Sequence, residues 1–212
     1  MNLYLIRHGE SEGNLLGRIQ GHANYVLTAQ GRKQAEFLGS YLKDLEIDYL
    51  YSSDLLRAFA TAEIASSSLD IAPVPWEKIR EVNLGPLQNK TKAQIYQTYP
   101  QVLETSILTS GIEGTESINA LSLRCNDVVT ELRNKHMNEN VALVSHGGFI
   151  SVFLMYLFLG DDWSKYDRPF QINNTSVSRV EWKEHRQSPL IHYTNQTIHL
   201  ENEWKSTQKG VL

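Results

Sequence analysis

Hydrophobic residues fall along this chain in two rhythms. Three short runs are apolar with little interruption: LYLI (3–6), IDYLY (47–51) and VALV (141–144). Such runs belong to strands buried on both faces, as in a parallel sheet, whereas a half-exposed strand alternates. Between them the period lengthens. In TAQGRKQAEFLGSYLKDL (28–45), Thr28 is placed to cap a helix that carries Ala35, Leu38, Leu42 and Leu45 on one face. A second helix is predicted to start at Asp54, a natural N-cap, and to run through LLRAFATAEIA. A third, ESINALSLRCNDVVTELRNKH (116–136), aligns Ile118, Leu121, Cys125, Val128, Val129 and Leu132. The run FISVFLMYLFLG (149–160) is too short to span a bilayer and reads as a buried helix behind VALV.

Strands and helices in this alternation predict an α/β fold with three layers, αβα, around a mostly parallel central sheet. No repeat, low-complexity tract or linker divides the chain, so residues 1–212 are expected to form one domain. The polar stretch at about 86–113 contains a helical patch, KAQIYQTYP, and is expected to be a short lid inserted over the sheet edge. SVSRVEW (176–182) and PLIHYT (189–194) alternate as an edge hairpin would, and the final ENEWKSTQKGVL is expected to be loosely held. An edge strand would also let two chains pair as a homodimer.

Composition narrows function by exclusion. Net charge is −4 and the pI is near 6.0, so no basic field recruits nucleic acid or a membrane surface. Any anion must therefore be held by a local pocket. The one cysteine, Cys125, permits no intrachain disulfide and reads as a small buried hydrophobe. The first residues lack the pattern of a signal peptide, and the expected compartment is the cytoplasm.

Ligands of open α/β sheets bind outside the carboxyl ends of the strands. At those ends the chain places RHGE after LYLI, SSDLLR after IDYLY and SHGG after VALV. These strings bring Arg7, His8, Arg57 and His146 to one sheet edge. Taken singly, each has an ordinary structural reading: a turn, a satisfied histidine, a surface arginine. Together they form a cationic hole in an acidic protein, and a phosphoryl group is its natural guest because guanidinium offers a rigid fork to tetrahedral oxyanions. The histidines lack HxH or HExxH spacing, so no metal site is expected.

The motifs resemble those of the histidine phosphatase superfamily, the phosphoglycerate mutase-like proteins. LIRHGESEGN (5–14), YSSDLLRAFATAEI (51–64), REVNLG (80–85), GTES (114–117), SHGG (145–148), NNTSVSRVEW (173–182) and NQTIHL (195–200) follow the family's order. The resemblance implies a phosphoglycerate mutase-like fold and a phosphomonoester hydrolase of the phosphatase branch, acting on a small phosphorylated metabolite without metal or cofactor. His8 would be the nucleophile, with its second ring nitrogen tied by a hydrogen bond and its pKa lowered by two arginines. Arg7, Arg57 and His146 would bind the equatorial phosphoryl oxygens, with Asn14, Gln20, Gly21 and the Gly147 amide around them. Glu81 would donate the proton to the leaving alcohol, although Arg80-Glu81 alone reads as a surface pair. Glu10 is given a positioning role.

One block departs from the family. GPLQNKT (85–91) replaces the usual glycine, tryptophan, acid, glycine series. The lid is also short, and Lys90 and Lys92 are its only cations between Glu81 and the GTES turn. Leu84, Leu87, Ile95, Tyr96, Tyr99, Val102 and Leu103 are left to face a ligand. Net hydrolysis of neutral or hydrophobic esters is therefore expected. The alternatives are a phosphoglycerate mutase, in which Arg18 or the lysines hold a substrate carboxylate, and a non-catalytic phosphoryl-binding module.

Overall fold

The computed structural model describes residues 1–186 and 188–200, and ENEWKSTQKGVL lies outside the described residues. In chain order the elements are β1 (Asn2–Arg7), α1 (Glu12–Leu15), α2 (Ala29–Lys43), β2 (Tyr49–Ser52), α3 (Leu56–Ser66), β3 (Val74–Pro75) and α4 (Lys92–Thr98). After these come α5 (Ile118–His136), β4 (Asn140–Ser145), α6 (Gly147–Leu159), β5 (Val177–Glu181) and β6 (Leu190–Gln196). The strands form one sheet in the order β3-β2-β4-β1-β5-β6. β1, β2, β3 and β4 run parallel, while β5 and β6 form the expected antiparallel hairpin at one edge. The two-residue β3 at the other edge left no periodic pattern, and its Pro75 suits an edge position.

The uninterrupted apolar runs are explained by a core on each side of the sheet. Leu3 and Leu5 of β1, with Val141 and Leu143 of β4, pack against α5 and α6 through Leu121, Val128, Phe149 and Phe153. Tyr4, Ile6, Ala142 and Val144 face the other way, onto Leu38 and Leu42 of α2 and Ala58, Ala62 and Ala65 of α3. Because successive side chains point to opposite faces, burial of both faces requires every position to be apolar. Helix α6 is buried continuously from Phe149 to Met155, which is why its apolar positions show no stripe.

Thr28 caps α2 as expected, its hydroxyl accepting from the Gly31 amide at 2.9 Å. Asp54 does not cap α3. The helix begins at Leu56 behind Leu55, and the Asp54 carboxylate is instead drawn to Arg80, accepting from its Nε at 2.7 Å. A charge-assisted bidentate pair outcompetes a cap bond. Ile118, expected in the buried stripe of α5, lies at the helix start and is exposed.

The stretch 86–113 folds as α4 and short 3-10 turns. Ile95 and Val102 anchor it in the α5/α6 core. At its base the Ile19 amide donates to Lys90 at 2.9 Å and the Asn89 amide donates back to Ile19 at 2.8 Å, tying it to the loop after α1. It lines one cavity with the residues at the carboxyl ends of the parallel strands.

The turn after β1 packs backbone against backbone on α2. A Cβ on Gly31 would lie 2.0 Å from the Glu10 carbonyl oxygen. Gly31→Ala is therefore expected to destabilise the fold by about 2 kcal/mol in urea denaturation, the scale of overpacking a tight core. Ser40→Ala on the exposed face of α2 should shift stability by less than about 0.5 kcal/mol.

Candidate active site

His8 comes directly after β1 and is only 3% exposed. Its Nδ1 lies 2.7 Å from the Gly9 carbonyl oxygen, which can only accept, so Nδ1 carries the proton. Nε2 is then a bare lone pair, and the Arg57 Nε–H donates to it at 3.2 Å. Burial first, then the charges of Arg57 and Arg7, hold the His8 pKa well below its ordinary value. The ring is neutral near pH 7.

Arg57 sits in the first turn of α3 and is 1% exposed. Nη1 and Nη2 donate to the carbonyls of Ala23 and Gly21, each at 2.8 Å. Burial lowers its pKa to about 10, so it remains a cation at neutral pH. Arg7 donates from Nη1 to Ile172 at 2.6 Å, while its buried Nε has no partner among the described residues. An N–H in that condition is a donor awaiting an acceptor.

Glu81 reaches the start of α6. Its carboxylate accepts from the amides of Phe149 at 2.7 Å, Gly148 at 3.0 Å and Val82 at 3.0 Å. Gly148 must be glycine for this approach, since a Cβ there would stand 2.6 Å from Oε1. His22 holds the Glu81 backbone, donating from Nε2 to its carbonyl at 2.8 Å.

Arg7, His8, Asn14, Gln20, Gly21, Arg57, Glu81 and Gly147 all line one cavity of about 550 Å³. The oxygen of Asn14 accepts from Ser11 and Asn174, which leaves Nδ2 for the cavity, and Gln20 accepts from the Ser11 hydroxyl at 2.9 Å. His146 is the exception. It lies fully buried behind His8, with ring centroids 5.1 Å apart, Nε2 2.8 Å from Ser53 Oγ, and Nδ1 unpartnered among the described residues. Glu10 stays outside the cavity, accepting from the Thr28 hydroxyl at 2.7 Å and so fixing the turn on α2.

Several residues of this site do not stand out in the sequence. Ser53 orients His146, and Thr61 Oγ1 accepts from the Gly9 amide at 3.0 Å. Asn174 Nδ2 donates to the His8 carbonyl at 3.0 Å. All three lie within the family-like motifs, so a signal for them exists. Arg168 lines the cavity from the irregular segment between α6 and β5, where no periodicity or motif marks it. Of the apolar lid residues, Leu84, Tyr96, Val102 and Leu103 line the cavity, whereas Leu87 and Ile95 turn into the core. The cavity is thus more cationic than the lid alone predicts. Among the described residues no three His, Cys, Asp or Glu side chains cluster as a metal ion would need.

A neutral histidine with a fixed tautomer, set between buried guanidiniums beyond the ends of parallel strands, defines an enzyme that handles phosphoryl groups. The chain belongs to the histidine phosphatase superfamily (branch 1), whose sequence model matches residues 3–195. It is 30% identical over 187 residues to a probable phosphoglycerate mutase, GpmB, of Escherichia coli, covering 87% of this chain and 86% of that protein. Its fold is similar to that of Bacillus stearothermophilus YhfR, with a TM-score of 0.82, 28% identity and coverage of 94% and 98% of the two chains. A phosphoserine phosphatase from Entamoeba histolytica, solved with 3-phosphoglyceric acid, superposes with a TM-score of 0.77, 28% identity and the same coverage.

The buried histidines make stability depend on pH. His8 and His146 are held well below the ordinary value of 6.5, and burial lowers His199 to about 4. Between pH 6.5 and 5 the unfolded chain binds these protons and the native chain does not, so stability falls as pH falls. Urea unfolding is expected to show lower stability at pH 5 than at pH 7, with His199 accounting for about 2 kcal/mol of the difference. Replacing His199 with Gln should remove its share of the difference.

Proposed function

We propose that this protein is a phosphomonoester hydrolase acting through a phosphohistidine on His8. The observation that carries the reading is the state of that ring: Nδ1–H is committed to Gly9, and Nε2 is an unprotonated lone pair beside two guanidiniums. Nε2 attacks phosphorus in line, the phosphorus–ester oxygen bond breaks, and Glu81 delivers a proton to the leaving alcohol. Arg7 and Arg57 take the charge spread over the equatorial oxygens, and the unpartnered Arg7 Nε is one donor for them. His146, behind His8, supports the pocket through its remaining nitrogen. A water then attacks the phosphohistidine while Glu81 takes its proton. The nitrogen–phosphorus bond breaks, and inorganic phosphate and neutral His8 are restored. The scheme draws on no metal, because side chains of the site neutralise the phosphoryl charge.

A module that only binds phosphoryl groups would need the arginines but not an activated lone pair or a held carboxylate. The mutase reading keeps the same first half and returns the phosphoryl to the sugar acid. Incubation with 3-phosphoglycerate and a bisphosphoglycerate primer separates the two, with phosphate release expected to outrun isomer formation. We place the enzyme in the cytoplasm, a reading supported by its single cysteine.

His8→Ala should abolish turnover with the fold intact by circular dichroism, and rapid quenching of the wild type should trap an acid-labile, base-stable adduct. Turnover with no adduct would favour direct attack by water. Glu81→Gln should slow alkyl phosphates about 10²–10⁴-fold and p-nitrophenyl phosphate much less, since only poor leaving groups need the proton. Equal losses on both would assign Glu81 another role. Chelators should leave the rate unchanged, and vanadate should inhibit.

A further inference from the structure

Every arginine buried away from water needs its charge met, and most of those packed near this site visibly have theirs met. Arg80 pairs with Asp54, and Arg124 pairs with Glu116 at 2.8 Å. Arg57 is ringed by two carbonyls and His8. Arg168 is different. It is half-buried, lines the same cavity as His8, and forms no ion pair among the described residues. Its one hydrogen bond there runs from Nη2 to Ser106 Oγ of the lid, at 2.6 Å. Four of the five N–H donors of its guanidinium are left over. Its strongest favourable charge interaction is with Glu81, whose two oxygens are already held by three backbone amides. Leaving a guanidinium desolvated and unpaired is costly, unless a ligand supplies the missing anion.

We propose that Arg168 and Ser106 form a second anion subsite in the cavity, which takes a carboxylate on the leaving group of the phosphomonoester. Ser106 Oγ already accepts from Arg168 and from the Leu108 amide at 3.3 Å, so its own hydrogen is available to donate. One planar fork and one hydroxyl match the two coplanar oxygens of a carboxylate. The other cations of the cavity fit the task less well. Arg18 is bonded to the Asn89 carbonyl at the lid base, and Lys92 is exposed. The preferred substrate is thus a phosphorylated hydroxy or amino acid rather than the neutral ester that the weakly charged lid suggests. The assignment rests on the reading that the phosphoryl group lies between Arg7 and Arg57.

Binding of non-hydrolysable phosphonates tests the subsite apart from catalysis. 3-Phosphonopropionate and propylphosphonate differ only in the terminal carboxylate, and calorimetry on the wild-type chain compares them without turnover. The expected result is at least roughly ten-fold tighter binding of the carboxylated compound, the scale of one charge-assisted hydrogen bond. Arg168→Gln should bring the two within about two-fold, and Arg168→Lys should restore part of the difference. Equal wild-type affinities would overturn the subsite, even if hydrolysis of phosphomonoesters is confirmed. So would a preference that survives in Arg168→Gln but is lost in Arg18→Gln or Lys92→Gln. Clear carboxylate preference in a protein that shows no phosphatase turnover would uphold the subsite and instead overturn the hydrolase reading. Should Arg168→Gln fail to fold, Ser106→Ala and the wild-type comparison still decide.

Discussion

The guanidinium of Arg57 is the constraint around which the site is arranged. A cation removed from water in this way costs several kcal/mol unless its hydrogens are satisfied. No carboxylate pairs with it among the described residues, so backbone carbonyls must. Gly21 supplies one from a backbone at φ +52, a conformation that suits glycine, and Ala23 supplies another. The loop between α1 and α2 is therefore shaped by the charge it encloses. The remaining edge of the same guanidinium points Nε at His8, which fixes the ring and disfavours its protonation. Loop geometry is thus a consequence of one buried charge, and that charge joins burial, Arg7 and the Gly9 carbonyl in setting the state of the His8 ring.

The turn that carries His8 is held from several directions. The Gly9 amide donates to Thr61 of α3, and the Thr175 amide donates to the Arg7 carbonyl at 3.0 Å. Thr175 itself takes φ +51 and is contacted by His199 at 3.2 Å. A non-glycine residue in the left-handed region is strained, and such strain persists only where the surroundings over-determine it. Here those surroundings are β1, β5 and the segment after β6. Elements from the beginning, middle and end of the chain must therefore all be in place before His8 is positioned, which explains why the family motifs are spread so widely.

Most of this arrangement is legible from residue order. Double-sided burial writes β1 and β4 into the sequence as apolar runs, β2 less fully because Tyr49 is exposed, and the residues after these strands form the floor of the site. Thr28 is readable as a cap because its hydroxyl can donate to Glu10 while its oxygen still accepts from the Gly31 amide. Asp54 misleads because a cap and an ion pair use the same carboxylate, and Arg80 lies 26 positions away in sequence. Spacing also cannot show that Leu87 and Ile95 turn inward while Tyr96 and Leu103 face the cavity. The lid is a series of short turns without a common period. Arg168 is hidden for a related reason: it arrives from an irregular connection, and only the fold brings it to Ser106.

The head of α6 shows how the site divides its electrostatic work. A helix N-terminus is a ready anion site, and SHGG points to its amides as phosphate ligands. In the structure the amides of Gly148 and Phe149 are occupied by Glu81, while Gly147, whose amide the sequence reading singles out, lines the cavity. Phosphoryl charge must then fall mainly on the guanidiniums of Arg7 and Arg57, donors whose charge persists at neutral pH. The helix is left to hold Glu81, the carboxylate proposed to exchange a proton. Separating the two tasks means that charge neutralisation and proton transfer do not compete for the same donors. It also keeps the acid in register with α6 rather than with the lid, so the lid can change its lining without disturbing the chemistry beneath it.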